Sequence, residues 1–264
     1  MRKQTSVTEI EELFKTLGLR SGETVLVFSN AASLGLTENG LSGIYQAFKN
    51  VLGPQGTLVV PTFTFSFCNS QIFDLQNTRS ICGAFTNFVR TIPGAIRSIH
   101  GNHSFAAIGN RAEDALVATD KSSFGAGSAL TSMLALNVKI LLLGVIHNTY
   151  IHYVEKRFKV EYRYDKYFTG MVRDGKHVYQ DTFVFFVRKL GLEGTSTKDR
   201  EPQRNLFFET SACKTVDFVY GTHRLHQASD FCEFMLNELN KDPLFLVDKR
   251  KYFESLKKET DEQA

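Results

Sequence analysis

The sequence lacks several features that mark specialised classes of protein. Trp is absent, and the 264 residues include only 5 Pro and 4 Cys. The cysteines lie far apart, form no CxxC pair and follow no signal peptide, so we expect a cytoplasmic protein without a disulfide framework. The longest apolar runs, KILLLGVI and TFVFFVRKL, are too short to cross a bilayer, and no membrane partner is expected.

Strong charge of either sign is also lacking, since the formal net charge is +3. No Lys/Arg-rich run with interleaved aromatic residues is present, which argues against a nucleic-acid partner. The positive charge is concentrated locally. Residues 150–204 contain 12 Lys or Arg against 8 Asp or Glu, and this excess favours an anionic ligand there.

What the chain does have is an α/β pattern. Ser6-x-x-Glu9 forms a capping box in front of apolar residues at helical spacing, which predicts an N-terminal helix. Continuous apolar strands are predicted at 24–29, 56–64 and 139–145, with a helix over 41–52 between the first two. Strands that are apolar throughout are typical of a sheet covered by helices on both faces, so we predict one mixed α/β domain over residues 1–264.

The second half carries a hairpin signal. Residues 167–190 alternate around Asp174-Gly175, which predicts two strands joined by a type I′ turn. Residues 226–240 have apolar spacing that predicts a C-terminal helix.

The strongest candidate for chemistry is the stretch NTYIHYVEKRFKV, which puts His152 and Glu155 three residues apart on a predicted helix. Side chains at that spacing share one helix face, and a carboxylate beside an imidazole makes an oriented general base. Spacing alone is equally consistent with a solvated pair on a surface helix.

Other patterns are individually weaker. The turn SNAASLG follows a strand at a position where α/β proteins hold ligands, and SSFGAGSAL is a glycine-rich loop. His100 and His103 sit three apart with no further ligand at metal spacing, so packed histidines are the simpler interpretation. The pair His223 and His226 fits no zinc template, and Cys68 has no base beside it.

Taken in order, six blocks resemble the aminoglycoside 3-N-acetyltransferase family, also called antibiotic N-acetyltransferases. They are VFSNAASLG, GPQGTLVVPTFTFSF, PGAIRSIHGNHSFAAIG, FGAGSAL, KILLLGV and TYIHYVEKRF. The resemblance spans residues 18–170, leaving the hairpin and C-terminal helices of 171–264 outside it. It implies the mixed α/β fold of that family, distinct from GNAT acetyltransferases, and transfer from acetyl-CoA with no metal.

The resemblance also implies site residues. The family's H-x-x-E element falls on His152 and Glu155, which would be catalytic. Its CoA-binding elements fall on Ser29, Ser33, Leu34, Gly35, Thr62, Thr64, His103, Ser104, Gly125, Gly127 and Ser128. The sequence departs from the family pattern where Phe28 replaces a His, Asn30 a Ser, and Gly101 and Ala129 a Pro.

The local basic charge favours an amino sugar with an anionic part, such as a nucleotide-linked sugar for surface polysaccharide, as the amine acceptor. The alternatives are aminoglycoside 3-N-acetylation conferring antibiotic resistance and a non-catalytic CoA- or sugar-binding protein. A zinc hydrolase using His100, His103 and His152 is a third class. The sequence leaves the oligomeric state open, a homodimer included.

Overall fold

The computed structural model describes residues 4–69, 72–196, 199 and 201–263, without the side chains of residue 202 and of 259–263. Within these residues the strands are β1 (Gln4–Thr5), β2 (Thr24–Ser29), β3 (Leu36–Thr37), β4 (Thr57–Pro61), β5 (Phe73–Asp74), β6 (Ile96–Arg97), β7 (Phe105–Gly109), β8 (Lys139–Leu143), β9 (Arg163–Asp174), β10 (His177–Arg188), β11 (Lys214–Phe218) and β12 (Gly221–Gln227). The α-helices are α1 (Val7–Leu17), α2 (Gly40–Leu52), α3 (Ala84–Val89), α4 (Ala112–Ala115), α5 (Ala129–Ala135), α6 (Tyr150–Phe158), α7 (Glu201–Phe208), α8 (Ala228–Lys241) and α9 (Lys249–Gln263).

The main sheet has the strand order β11-β12-β8-β2-β4-β7-β6. The three central strands, β8, β2 and β4, run parallel, and their flanking neighbours β12 and β7 run antiparallel to them. A smaller sheet of order β10-β9-β5 stands beside it. The carboxyl ends of the central strands therefore meet the amino ends of β12 and β7 at one edge of the main sheet.

Helices cover both faces of this sheet. Side chains alternate along each strand, so each strand contacts helices on both sides. On β2, Val25 and Val27 belong to a cluster with α1, α2 and α3, whereas Leu26 belongs to a cluster with α5, α6 and α8. This arrangement confirms the predicted mixed α/β fold.

Local signals placed several elements correctly. The hydroxyl of Ser6 accepts from the backbone N–H of Glu9, and the Glu9 side chain accepts from the Ser6 N–H, so the capping box starts α1. The predicted strands and the helix over 41–52 correspond to β2, β4, β8 and α2, with ends that differ by a few residues.

The hairpin is present, but its turn type was predicted wrongly. A type I′ turn needs positive φ at both central residues, whereas here only Gly175 (φ 58°) has it. His177 pairs with Asp174, so the two central residues are Gly175 and Lys176, and the turn has the form expected of type II′. Residues 226 and 227 end β12, and the helix predicted over 226–240 begins at Ala228.

In the described part of the chain, no helix is both long and apolar enough to cross a membrane.

Candidate active site

A cavity of about 610 Å³ opens at the carboxyl edge of the main sheet. Its wall combines residues after β4, before β7, around the start of α6 and from the β9–β10 hairpin: Phe63, Phe65, His103, Thr149, His152, Arg163, Phe185, Val187, Arg188, Thr195 and Ser196. Because the central strands converge there, segments distant in sequence share one wall, as is typical of ligand sites in α/β proteins.

The opposite edge holds a second cavity, of about 340 Å³, lined by residues of α2 and by the Gly53–Gly56 turn. Its described lining includes no histidine and no carboxylate, and its titratable side chains are those of Tyr45 and Lys49. The chemistry of the described chain concentrates at the carboxyl edge.

His152 and Glu155 form a direct pair on the cavity wall. Nδ1 of His152 lies 2.7 Å from Oε2 of Glu155, and the His152 side chain is 22% exposed while that of Glu155 is fully buried. A carboxylate at Nδ1 favours the tautomer with its proton on that nitrogen, so proton exchange with a ligand runs through Nε2. The pair has the geometry of an oriented general base.

The carboxylate is itself held from two further directions. The Tyr162 hydroxyl donates to Oε1 of Glu155 at 3.1 Å, and the Arg163 guanidinium lies 2.8 Å from Oε2. A buried carboxylate needs such partners, because burial without them costs several kcal/mol. These contacts fix the acid and, through it, the His152 ring.

The start of α6 explains the placement of the pair. After β8 the chain passes through residues 144–149, and Asn148 Oδ1 accepts from the N–H of Tyr150 in the first turn. Lys156 and Arg157 lie in the last turn, where cations favour the helix dipole. Lys159, with φ 61°, ends the helix and turns the chain so that Tyr162 and Arg163 return to Glu155.

His103 lies in the same wall within a ring of phenylalanines. Its ring centroid is 4.8 Å from Phe63, 4.8 Å from Phe124 and 4.4 Å from Phe185, and Phe124 also contacts His152 at 5.1 Å. Burial, followed by the neighbouring His100 and His152, lowers the pKa of His103 well below its usual range. The ring is therefore neutral at physiological pH.

Arg97 secures the backbone beneath that wall. Its Nε donates to the hydroxyls of Thr62 and Ser104 at 3.1 Å each, and Nη2 donates to the Thr62 carbonyl at 2.8 Å. Burial lowers the Arg97 pKa to about 10, so it remains charged. Thr62 and Ser104 thus serve as fully buried anchors for their neighbours Phe63 and His103, which line the cavity.

The turn after β2 packs against the β11–β12 connection. The Ser33 hydroxyl donates to the Asn30 carbonyl at 2.7 Å, and Leu34 lies in the apolar core. A Cβ at Gly144 (φ 62°), directly after β8, would lie 2.3 Å from Ser33, so the close approach of that segment to the turn requires glycine. Ser33, Leu34 and Gly35 are absent from the described cavity lining, while Ser29 is partly exposed at the carboxyl end of β2.

Several hydrogen-bonding groups of the glycine-rich loop, residues 122–130, bind to one another and to Asp120. Asp120 accepts from the Gly127 N–H at 3.2 Å, and the Ser128 hydroxyl donates to the Gly125 carbonyl at 2.7 Å. Thr64 likewise shares a 2.8 Å hydrogen bond with Ser66. None of the four predicted residues Gly125, Gly127, Ser128 and Thr64 lies in the described lining of the cavity.

His100 and His226 are packed in the interior of the protein. His100 accepts two backbone N–H groups at Nδ1, and His226 is buried among Phe207, Phe208 and Phe231. Burial raises the pKa of the Cys68 thiol. Among the residues described, no group of three or more His, Cys, Asp or Glu has the arrangement to hold a metal ion.

Sequence reasoning missed the hairpin's share of the wall. Phe185 and Val187 lie two apart on β10 and so project to one face, a pattern visible in the sequence. Arg163 gave no comparable signal, because its approach to Glu155 depends on the chain reversal at Lys159.

Comparison with known proteins identifies the family. The family model described as aminoglycoside 3-N-acetyltransferase matches residues 26–240. Aminoglycoside N(3)-acetyltransferase IV from a Salmonella species is 30% identical over 239 residues, covering 88% of this chain and 86% of the relative. Two solved structures share the fold at low identity. AAC-IIIb in binary complex with CoASH has a TM-score of 0.81 at 20% identity, covering 90% of this chain and 97% of its own. AAC-VIa bound to sisomicin has a TM-score of 0.79 at 21% identity, covering 90% and 98%.

These matches confirm the resemblance seen in the six sequence blocks and the enzyme class that it implied. The chain belongs to the aminoglycoside 3-N-acetyltransferase family and is an acetyl-CoA-dependent N-acetyltransferase.

Proposed function

We propose that the chain acetylates an amine of an aminoglycoside, with His152 as general base and Glu155 as the acid that orients it. The observation that carries this proposal is the 2.7 Å His152–Glu155 pair on the wall of a 610 Å³ cavity. Aminoglycoside acceptors are supported by the names of the relatives, and by a related structure with bound sisomicin. The comparisons thus favour the aminoglycoside over the nucleotide-linked sugar that local charge suggested.

Acetyl-CoA would supply the activated acyl group, and the wall offers one observation that fits a thioester carbonyl. The Thr149 hydroxyl, on the wall just before His152, is buried and has no hydrogen-bond partner among the described residues. A hydroxyl in that position suits the negative charge that develops on the carbonyl oxygen during acyl transfer.

In this proposal, the residues of the chain itself carry out the proton transfer. Nε2 of His152 takes the proton that the amine loses as its nitrogen bonds to the acyl carbon. The positive charge this creates on the imidazole is stabilised by Glu155, whose position Tyr162 and Arg163 maintain. The proton then leaves with the CoA sulfur, so His152 returns to its starting state.

Among the residues predicted to bind CoA, we propose His103 and Ser29 as the ones placed for ligand contact, because one lines the cavity and the other is partly exposed at the same edge. Thr62 and Ser104 would contribute indirectly, by holding their neighbours Phe63 and His103 in the cavity wall. We also propose that residues 1–264 work as one acyltransferase unit, since the wall draws on segments from Phe63 to Ser196.

A second acceptor class is favoured by the charges on the wall. Arg188 lines the cavity as an exposed cation, whereas the guanidinium group of Arg163 is paired with the buried Glu155. Such a wall suits an amino sugar that carries phosphate, because guanidinium groups pair with phosphate oxygens.

The test is thiol release from acetyl-CoA, with gentamicin, apramycin and sisomicin in one arm and nucleotide-linked amino sugars in the other. Turnover confined to the aminoglycosides supports the first proposal, and turnover confined to the phosphorylated sugars supports the second. If no amine increases thiol release above hydrolysis, both proposals fail.

A further inference from the structure

The proton on His103 is set by Ser123. Nδ1 of His103 lies 2.8 Å from the Ser123 hydroxyl oxygen, and that hydroxyl donates to the carbonyl of Val184 at 3.0 Å. A carbonyl oxygen only accepts, so the serine proton is directed to Val184 and the serine oxygen is left as an acceptor. The 2.8 Å contact then needs its proton from His103, which places it on Nδ1.

His100 supports the same assignment from the other side. Its Nδ1 accepts the backbone N–H groups of Asn102 at 3.2 Å and of His103 at 3.0 Å, so this nitrogen carries no proton. Burial lowers the pKa of His100 to about 3, and the neutral ring therefore carries its proton on Nε2. That nitrogen lies 3.4 Å from the Ser123 hydroxyl, which faces one imidazole donor on each side.

The consequence for His103 is an unprotonated Nε2. This nitrogen makes no hydrogen bond to any residue that the structure describes, and His103 lines the same cavity as His152. The rings of both histidines contact Phe124. The wall thus carries two imidazoles, each with Nδ1 bound to a protein group.

We propose that Nε2 of His103 accepts a hydrogen bond from the reacting amine while Nε2 of His152 removes the other proton; this rests on the function proposed above. A primary amine as the free base has two N–H bonds and one lone pair. Two acceptors that hold both N–H bonds leave the lone pair directed at the acyl carbon. Ser123 is then a positioning residue that acts through the tautomer of His103.

The surroundings favour the amine in its reactive, neutral form. Phe63, Phe65 and Phe185 make this part of the wall apolar, which disfavours a charged ammonium. The guanidinium group of Arg188, which is exposed on the wall, acts in the same direction by charge repulsion, whereas the charge of Arg163 is compensated by Glu155. A neutral imidazole accepts an N–H without adding the negative charge that would stabilise the ammonium, so His103 suits this role better than a carboxylate.

The first test reads the tautomer directly, by nitrogen NMR of protein with ¹⁵N-labelled histidine, assigned with His103→Gln. We expect a protonated Nδ1 and an unprotonated Nε2 for His103 at neutral pH, and movement of the Nε2 signal when gentamicin is added without acetyl-CoA. A protonated Nε2 would overturn the proposal, as would an Nε2 signal that moves with CoA alone.

The second test separates the two substrates kinetically. Ser123→Ala frees the His103 tautomer and should raise KM for the amine about tenfold, the effect of one lost neutral hydrogen bond, while KM for acetyl-CoA stays constant. Ser255→Ala is the matched control, because Ser255 is also a buried serine whose hydroxyl donates to a backbone carbonyl, but it lies on α9 away from the described cavity wall.

The results distinguish a failure of this proposal from a failure of the proposed function on which it rests. Wild-type protein that transfers acetyl to no amine ends the proposed function. If the wild-type protein is active but Ser123→Ala leaves KM for the amine unchanged, or raises only KM for acetyl-CoA, the assignment of His103 to the amine is wrong. The proposed function then still stands.

Discussion

His152 and His226 show how two regions of one molecule use the same side chain differently. His152 lies on a cavity wall with a buried carboxylate 2.7 Å from Nδ1. His226 is buried between β12 and α8, and neither of its ring nitrogens has a hydrogen-bond partner among the residues described. Burial, with Arg224 adding to it, lowers the pKa of His226 to about 3.

The difference shows what an imidazole needs in order to act as a base. It needs a carboxylate partner and access to a ligand, and burial alone does not provide either. His226 is sealed among aromatic rings and acts as a neutral core residue. His152 lines the cavity, and in the proposed mechanism Glu155 supports the charge that it acquires. Substitutions in each region test whether the two are as separate as this contrast implies.

The largest effect is expected at His152. His152→Ala removes the proposed base and should lower kcat by about a hundredfold to ten-thousandfold, measured by thiol release from acetyl-CoA. His177→Ala, at an exposed histidine on the hairpin, should leave kcat unchanged. A His152→Ala enzyme that turns over at the wild-type rate would end the contrast between the two regions.

The next largest effect is expected at Glu155. Glu155→Gln keeps the size of the side chain but removes the negative charge that supports the His152 cation, so kcat should fall by about a hundredfold. Glu161→Gln, at an exposed carboxylate close in sequence, is the control. Equal kcat values for the two variants would mean that the buried acid serves only the fold.

His226 should affect stability and not turnover. His226→Leu removes a buried polar ring whose nitrogens are unsatisfied in the described structure, and should raise the free energy of unfolding by about 1 kcal/mol at neutral pH. Chemical denaturation measures this change, and thiol release should show an unaltered kcat. A fall in kcat would link the core histidine to the site.

The same variant has a pH signature. The pKa of His226 is about 3 in the folded protein and near the usual value of 6.5 in the unfolded chain. Between these values only the unfolded chain binds the proton, so acid removes stability from about pH 6.5 down to 3, at roughly 1.4 kcal/mol per pH unit. His226→Leu should lose this share of the slope, which denaturation at several pH values would show.

The smallest effect is expected at Arg188, an exposed residue of the wall. Arg188→Glu should raise kcat/KM about fivefold for a cationic aminoglycoside, and added salt should weaken the change. Lys189→Glu, at the next residue and outside the described lining, controls for net charge. A gain for phosphorylated amino sugars instead would contradict the electrostatic argument.

Much of this arrangement could be predicted from the sequence, because it depends on local patterns. Apolar strands ending at one edge predicted the edge at which the cavity lies, and the three-residue spacing predicted that His152 and Glu155 would meet. The Ser6–Glu9 capping box gave the start of α1. Each of these signals depends on residues that are close in the chain.

The rest depended on contacts between distant segments. The type I′ turn was predicted from Asp174-Gly175, but the strand register moved the turn by one residue. Strands β11 and β12 were missed, because the predicted C-terminal helix began at His226, inside β12. The hydrogen bond between His103 and Ser123, which joins residues 20 apart, has no signature in either local sequence.

The reversal at Lys159 links the proposed base to the shape of the cavity wall. Tyr162 and Arg163, which hold Glu155, stand at the foot of the same hairpin that supplies Phe185, Val187 and Arg188 to the wall. Any repositioning of that hairpin to admit a different sugar therefore also disturbs the hydrogen bonding of the proposed base, His152. Acceptor range and turnover rate should consequently evolve together in this chain, with each change of one requiring adjustment of the other.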